Sequence, residues 1–196
     1  MKKTKKTAIL SLLGVFFLVF LDQITKYLAV IKLKGGNDFQ LIPDVFEFHY
    51  LENESAAFSM DLVSILHRIF HFSYFNENPD AFLTCKMLFF VILTTAVVIA
   101  IVWFYLYRIP ADKHFFWLNF LIVVFVSGAI GNLIDRIVHN YVIDFFYFKL
   151  INFPVFNVAD IYVTVAAIAV VVLGMFYYKE EDFELIFPSR KKKEKS

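Results

Sequence analysis

The chain has 196 residues, of which 60% are hydrophobic and only 19% charged, and its formal net charge is +1. An ordinary soluble domain is about half apolar and roughly 25% charged, so this composition, with a mean hydropathy of +0.66, excludes that class and points to a polytopic membrane protein. Near-neutral charge supplies no basic field for nucleic acid, and a single cysteine, Cys85, excludes an intrachain disulfide or a thiolate metal cluster.

At the start, MKKTKK followed by AILSLLGVFFLVF has the basic and apolar regions of a signal peptide. No small-residue cleavage site follows, and the apolar run continues through LDQITKYLAVI, so cleavage is not expected. The spacing predicts a first transmembrane helix from Thr7 to about Ile31, since about 20 residues cross roughly 30 Å of hydrocarbon. Residues 32–80 mix Gly, Pro and charge with short apolar alternation. FQLIPDVFEFHYLE reads as one or two short strands, the first limited by Pro43. DLVSILHRIFHF places Leu62, Ile65, Leu66 and Ile69 on one helical face, with His67, Arg68 and His71 opposite, which predicts a helix lying in the membrane interface. NENPD (Asn76–Asp80) reads as a turn.

Ala81–Tyr107 is the second membrane helix, RIPADKH a polar connector, and Phe115 to about Ile134 the third helix. Residues 136–156 read as a mixed, aromatic-rich loop, and Asn157–Tyr178 as the fourth helix. Residues 1–178 thus form one all-α polytopic membrane unit with four transmembrane helices, and 179–196 a tail ending in a basic run, read as disordered. Cys85, inside an apolar run, is expected as a small buried hydrophobe.

Lysine and arginine set the orientation. They gather at Lys2, Lys3, Lys5 and Lys6, at Arg108 and Lys113 in the connector, and at Arg190–Lys193 and Lys195 in the tail. With four helices these lie on one side, so both termini are expected in the cytoplasm and 32–80 and 136–156 on the extracytoplasmic face. No internal repeat is visible, which disfavours an inverted-repeat transporter.

The polar residues near the outer helix ends carry the chemistry, because charge at membrane depth is expensive and needs a reason. Asp22 and Lys26 share a helix face in the favourable order; a mutually neutralising pair and a scaffold beneath an active site both remain open. Asn53–Phe58 (NESAAF) would let backbone approach closely through Ser55, Ala56 and Ala57, although taken alone the stretch is better explained as an ordinary turn. Gly128, Asn132 and Arg136 recur every four residues on helix three, with Asp135 beside Arg136 as a possible helix-end pair. Asp144 follows the apolar YVI in a loop, and Asn157-x-x-Asp160 opens helix four. A capping motif alone explains the last two, since Asn is a strong N-cap and an acid in the first turn suits the helix dipole. It does not explain why other outer helix ends bring polar groups to the same level.

Two close carboxylates share a proton, one acting as general base on a water and the other as general acid. Asp144 and Asp160 are therefore the candidate pair of an intramembrane aspartic protease. The helix-four dipole favours ionised Asp160, leaving Asp144 as the protonated partner. Competing chemistries lack their parts: there is no HExxH, no Gly-x-Ser-x-Gly, and the five histidines are scattered apart from a His67–His71 pair. Two other classes remain: a small membrane carrier using Asp144, Asp160 and Arg136 as a relay, and a structural subunit whose polar helix ends merely pair. Acids at the outer helix ends rather than mid-membrane count against the carrier.

DQITK (Asp22–Lys26), NESAAF, GAIGNLIDR (Gly128–Arg136), VID with Phe145, and FNVAD (Phe156–Asp160) together resemble the lipoprotein signal peptidases, or signal peptidase II, in order and across nearly the whole chain. Each motif is weak alone; five in order are specific. The resemblance implies a four-helix aspartic endopeptidase of the bacterial inner membrane that cuts a prolipoprotein just before its diacylglyceryl-modified cysteine. It implies Asp144 and Asp160 as catalytic residues, Asn53, Asn132, Arg136 and Asn157 as substrate and active-site support, and Asp22, Lys26 and Asp135 in structural roles. It further implies a small extracytoplasmic β-cradle with the interfacial helix, no cofactor or metal, and a monomer whose partners are the lipid-modified prolipoprotein and membrane phospholipid. Ser55 and Ser127 stand where the family usually has glycine, and the segment from Phe58 to helix two is longer than usual.

Overall fold

The computed structural model describes residues 3–54 and 62–188. Ser55–Phe58 of NESAAF, Lys2 and the basic run from Arg190 onward lie outside the described residues. Four helices are long and apolar enough to cross a membrane: α1 (Lys5–Leu33), α4 (Pro79–Tyr107), α5 (Phe116–His139) and α6 (Val158–Phe176). Between α1 and α4 come strands β1 (Phe39–Ile42) and β2 (Phe46–Asn53) and short helices α2 (Leu62–Phe70) and α3 (Ser73–Glu77). Strand β3 (Val142–Tyr147) joins α5 to α6, and α7 (Glu180–Ile186) follows α6.

α5 is the centre of the bundle and packs against α1, α4 and α6. Small residues make this possible. A Cβ on Gly128 would run into the Ala159 carbonyl of α6, and one on Gly131 into the Asp22 carboxylate of α1. In a bilayer no hydrophobic drive favours helix–helix over helix–lipid contact, so such close approach is what joins helices. The outward faces stay apolar: Phe16, Ile99, Val171 and Phe176 are all exposed, as lipid-facing residues are.

The sheet has the antiparallel order β1-β2-β3. Pro43 and Asp44 (φ 57°) turn β1 into β2, and Leu51 stands opposite Asp144. Asn53 lies two residues beyond Leu51 on the same face, within diagonal reach of Asp144. Phe146 pairs with Phe156 by backbone hydrogen bonds, which ties β3 to the residue before Asn157. Phe46, Phe48, Phe146, Phe148 and Phe156 pack ring against ring, Phe46 on Phe146 and Phe148 on Phe156 stacked and the others tilted, and stiffen this corner.

Several expectations change. α5 runs to His139, past Ile134, so Asp135 and Arg136 are helical rather than at a loop edge. It ends on Asn140 at φ 63°, a left-handed cap. The segment read as a loop over 136–156 holds β3 and a short 3-10 turn, Lys149–Ile151, so Asp144 is a strand residue. NENPD is not a simple turn: Asn76 belongs to α3, and Pro79 opens α4, where its missing N–H costs nothing. The start of the tail is ordered, since α7 places Ile186 against Ile109, Phe115 and Leu118 in a buried cluster. Cys85 is exposed on α4, not buried. α2 does expose Ile65, Leu66, Ile69 and Phe70, as an interfacial helix should, but His67 leaves the polar face to pack against Phe72, Phe75 and Phe82.

Candidate active site

Polar residues from each of these motifs meet at the end of the bundle that carries the sheet. Asp144 on β3 is 1% exposed. Its Oδ2 accepts from Asn53 Nδ2 at 2.7 Å and its Oδ1 from Asn157 Nδ2 at 2.6 Å. Asp160, in the first turn of α6, accepts from Asn132 Nδ2 at 2.8 Å and from the Asn157 backbone N–H at 3.1 Å. Asn157 Oδ1 accepts in return from the Asp160 N–H at 2.9 Å. The reciprocal pair is a capping box, the local reason that α6 starts where it does. The same Asn157 side chain reaches across to Asp144, so one residue holds both carboxylates.

Beneath this pair lies a second, fully buried set of charges. Lys26 Nζ is 3.0 Å from Asp22 Oδ2, 2.8 Å from Asp135 Oδ2 and 2.9 Å from Asn132 Oδ1. Gln23 Nε2 donates to Asp135 Oδ1 at 2.9 Å and to the Gly131 carbonyl at 3.2 Å. Asp22 Oδ1 accepts from the Ala159 N–H at 2.9 Å, which sets an anion on the positive N-terminus of α6. Asp135 Oδ2 accepts from the Ile143 N–H at 3.1 Å, holding β3 beside α5. Desolvating such ions costs several kcal/mol each, and the network offsets this by giving all three Lys26 protons an acceptor and each carboxylate three donors. The pairing expected of Asp135 with Arg136 is replaced by Asp135 with Lys26.

Arg136 lies over the Phe90 ring at 5.1 Å and gives the Asn132 carbonyl one long contact of 3.5 Å. Its Nε is buried with no hydrogen-bond partner among the described residues. Asp160 and Asp144 are the charges that act on it most strongly. The carboxyl of Asp144 is pushed up to about 7, first by burial and second by the charge of Asp160. That is the behaviour of the proton-carrying member of a coupled pair.

Every sequence-predicted residue is therefore in this cluster: Asn53, Asn132, Asn157, Asp144 and Asp160 in direct contact, Arg136 beside them, and Asp22, Lys26 and Asp135 one layer below. Sequence reasoning missed Gln23 and Gly131. The Gly128–Gly131 spacing was the available signal for the second; nothing marks Gln23 until α1 and α5 are brought together. Among the described residues, one His/Asp/Glu group has metal-ligand spacing, Asp38, Glu47 and His49. It is already paired, His49 with Asp38 at 2.9 Å and Glu47 with Lys149 at 3.1 Å, and none of its members bonds to Asp144 or Asp160.

The family model described as Signal peptidase (SPase) II matches residues 14–176. The chain belongs to the signal peptidase II family. Curated relatives agree. The lipoprotein signal peptidase of Clostridium tetani is 34% identical over 85% of this chain and 90% of its own length. That of Caldanaerobacter subterraneus subsp. tengcongensis is 37% identical over 83% and 93%. That of Streptococcus pneumoniae is 33% identical over 90% and 97%. Two solved structures of a bacterial membrane enzyme, obtained by the in meso method, share the fold, each at 27% identity. Their TM-scores are 0.69, over 91% of this chain and 95% of the solved chain, and 0.67, over 90% and 97%. The chain is thus a multi-pass bacterial membrane protein of a peptidase family.

Proposed function

We propose that the chain is an aspartic endopeptidase that removes the signal peptide from diacylglyceryl-modified prolipoproteins, cutting on the N-terminal side of the lipidated cysteine. The observation that carries this reading is the asparagine bridge: Asn157 donates from its side chain to Asp144 and from its backbone to Asp160. Two carboxylates held this way in a mostly buried site are suited to one shared proton.

In the proposed cycle Asp160 is ionised, held by Asn132 and the α6 dipole. It takes a proton from water as the water oxygen attacks the scissile carbonyl carbon. Asp144 gives its proton to the carbonyl oxygen, forming a neutral gem-diol. When the C–N bond breaks, Asp160 passes its proton to the leaving amine, and a diol hydroxyl returns one to Asp144. The pair ends in its starting state. Arg136, with its underused guanidinium, donates to substrate carbonyls.

The basic clusters support a reading with both termini in the cytoplasm and the sheet end, with the aspartates, at the outer face. There a lipid-anchored cysteine would lie level with them, and α2, with its exposed Ile65, Ile69 and Phe70, rests in the same interface. The enzyme works as a monomer surrounded by phospholipid. The test is a cleavage assay on matched prolipoproteins with and without the diacylglyceryl group, products mapped by mass spectrometry. Cleavage of the lipidated form alone, with the modified cysteine as the new N-terminus, is expected. Equal cleavage of both, or a cut elsewhere, contradicts the reading.

A further inference from the structure

An asparagine side chain has nearly the same shape either way round, yet Asn132 serves Asp160 only with its NH2 group toward that carboxylate. Flipped, it would set its carbonyl oxygen against the Asp160 oxygen. Two donors hold the working orientation, Lys26 Nζ on Asn132 Oδ1 at 2.9 Å and Asn157 Nδ2 at 3.1 Å. The Asn157 amide is already committed to Asp144 at the shorter distance of 2.6 Å. Lys26 is the charged donor, and charge-assisted bonds are roughly twice as strong as neutral ones. It is 1% exposed, so water does not compete for it. Two of its three N–H groups meet Asp22 and Asp135, and the third has Asn132.

We propose that Lys26 is a positioning residue for the aspartate pair: it locks the Asn132 amide so that the NH2 group faces Asp160 and thereby holds that carboxylate in its working place. The proposal rests on the aspartic reading above and extends it to a residue that touches neither aspartate. The charged or hydrogen-bonding groups around the pair are Asn53 on β2, Asp22 and Lys26 on α1, Asn132, Asp135 and Arg136 on α5, and Asn157 on α6. Of these, Lys26 is the cation bonded to the Asn132 side chain, whereas Arg136 contacts only its backbone carbonyl.

Removing Lys26 alone would strand two buried carboxylates, so the test uses charge-matched variants. Two carboxylates and one ammonium make the Asp22–Lys26–Asp135 set −1; K26M/D135N leaves Asp22 alone, also −1. Asp135→Asn alone keeps the bond from Lys26 to Asn132. Each purified protein is assayed on a lipid-modified prolipoprotein from about pH 5 to 9, with kcat and KM resolved and thermal unfolding recorded. Asp135→Asn is the reference, since any loss it shows comes from the carboxylate with the bond from Lys26 to Asn132 kept. Relative to it, K26M/D135N should lose a further 10- to 100-fold, roughly, in kcat, as a misplaced catalytic group does, with KM within about twofold. If that variant fails to fold, D22N/K26M, which leaves Asp135 alone, takes its place with the same expected result. A folded variant with wild-type kcat overturns the proposal, as does an equal loss in Asp135→Asn. Asp144→Asn run alongside separates the failures: its inactivity upholds the aspartic reading whatever Lys26 does, and its full activity removes that reading.

Discussion

Asn157 caps α6 and clamps both carboxylates, so its truncation should separate stability from activity. Asn157→Ala loses an N-cap, a cost of about 1 kcal/mol in thermal unfolding, but should lower kcat at least about 100-fold by freeing Asp144 and Asp160 together. Asp144 gives two pH effects. In the proposed cycle activity needs its proton, so the basic limb should fall near its value of about 7. Asn53→Ala removes a donor that favours the ionised form, so that limb should move upward. For stability, the folded carboxyl at about 7 lies above the roughly 3.9 of an unfolded chain. The native state therefore holds a proton that the unfolded chain releases, and the benefit is full below about pH 4 and lost as pH rises through about 7. Melting temperature should fall from about pH 5 to 8 in the wild type and much less in Asp144→Asn. The acids and asparagines were legible in sequence because polar groups in apolar surroundings need a reason. Gln23 was not, because its partners Asp135 and Gly131 are brought to it only by the packing of α1 on α5.

At the scale of elements, the glycines of α5 decide how closely the bundle can close. Gly128→Ala would drive a Cβ into the Ala159 backbone carbonyl, which cannot rotate aside. A loss of roughly 1–3 kcal/mol in denaturant unfolding from micelles is expected; an unchanged midpoint would mean that α5 and α6 have slack. Gly131→Ala would press on the Asp22 carboxylate instead and loosen its bond to the Ala159 N–H. Helix existence was plain from apolar runs, but the end of α5 was read five residues early, at Ile134 rather than His139. Charge at Asp135 and Arg136 looks like a boundary to hydropathy. In the fold Lys26 neutralises the first and Phe90 covers the second, so the helix continues. β3 was hidden for a related reason: VIDFFY becomes a strand by pairing with β2, roughly ninety residues earlier in sequence, and no local pattern announces that partner.

For the whole molecule, four membrane helices with a small sheet at one end agree with the architecture that composition and motif order implied, whereas the α7 cluster at the other end was not expected. What composition could not convey is that the two ends are built differently, one from paired charges and the other from Ile109, Phe115, Leu118 and Ile186. Orientation should be readable with single cysteines in a Cys85→Ser background. A cysteine at Gly36 should react with an impermeant thiol reagent in intact cells, and one at Lys113 only after permeabilisation. The reverse pattern would put the aspartates on the cytoplasmic side, away from any exported lipoprotein. The most direct test of the central claim is single-turnover cleavage of a lipid-modified prolipoprotein by the wild type, Asp144→Asn and Asp160→Asn, each first shown to unfold cooperatively in the same detergent. The expected result is cleavage by the wild type and loss of at least about 1,000-fold in both variants. Wild-type turnover in either one would contradict a catalytic aspartate pair.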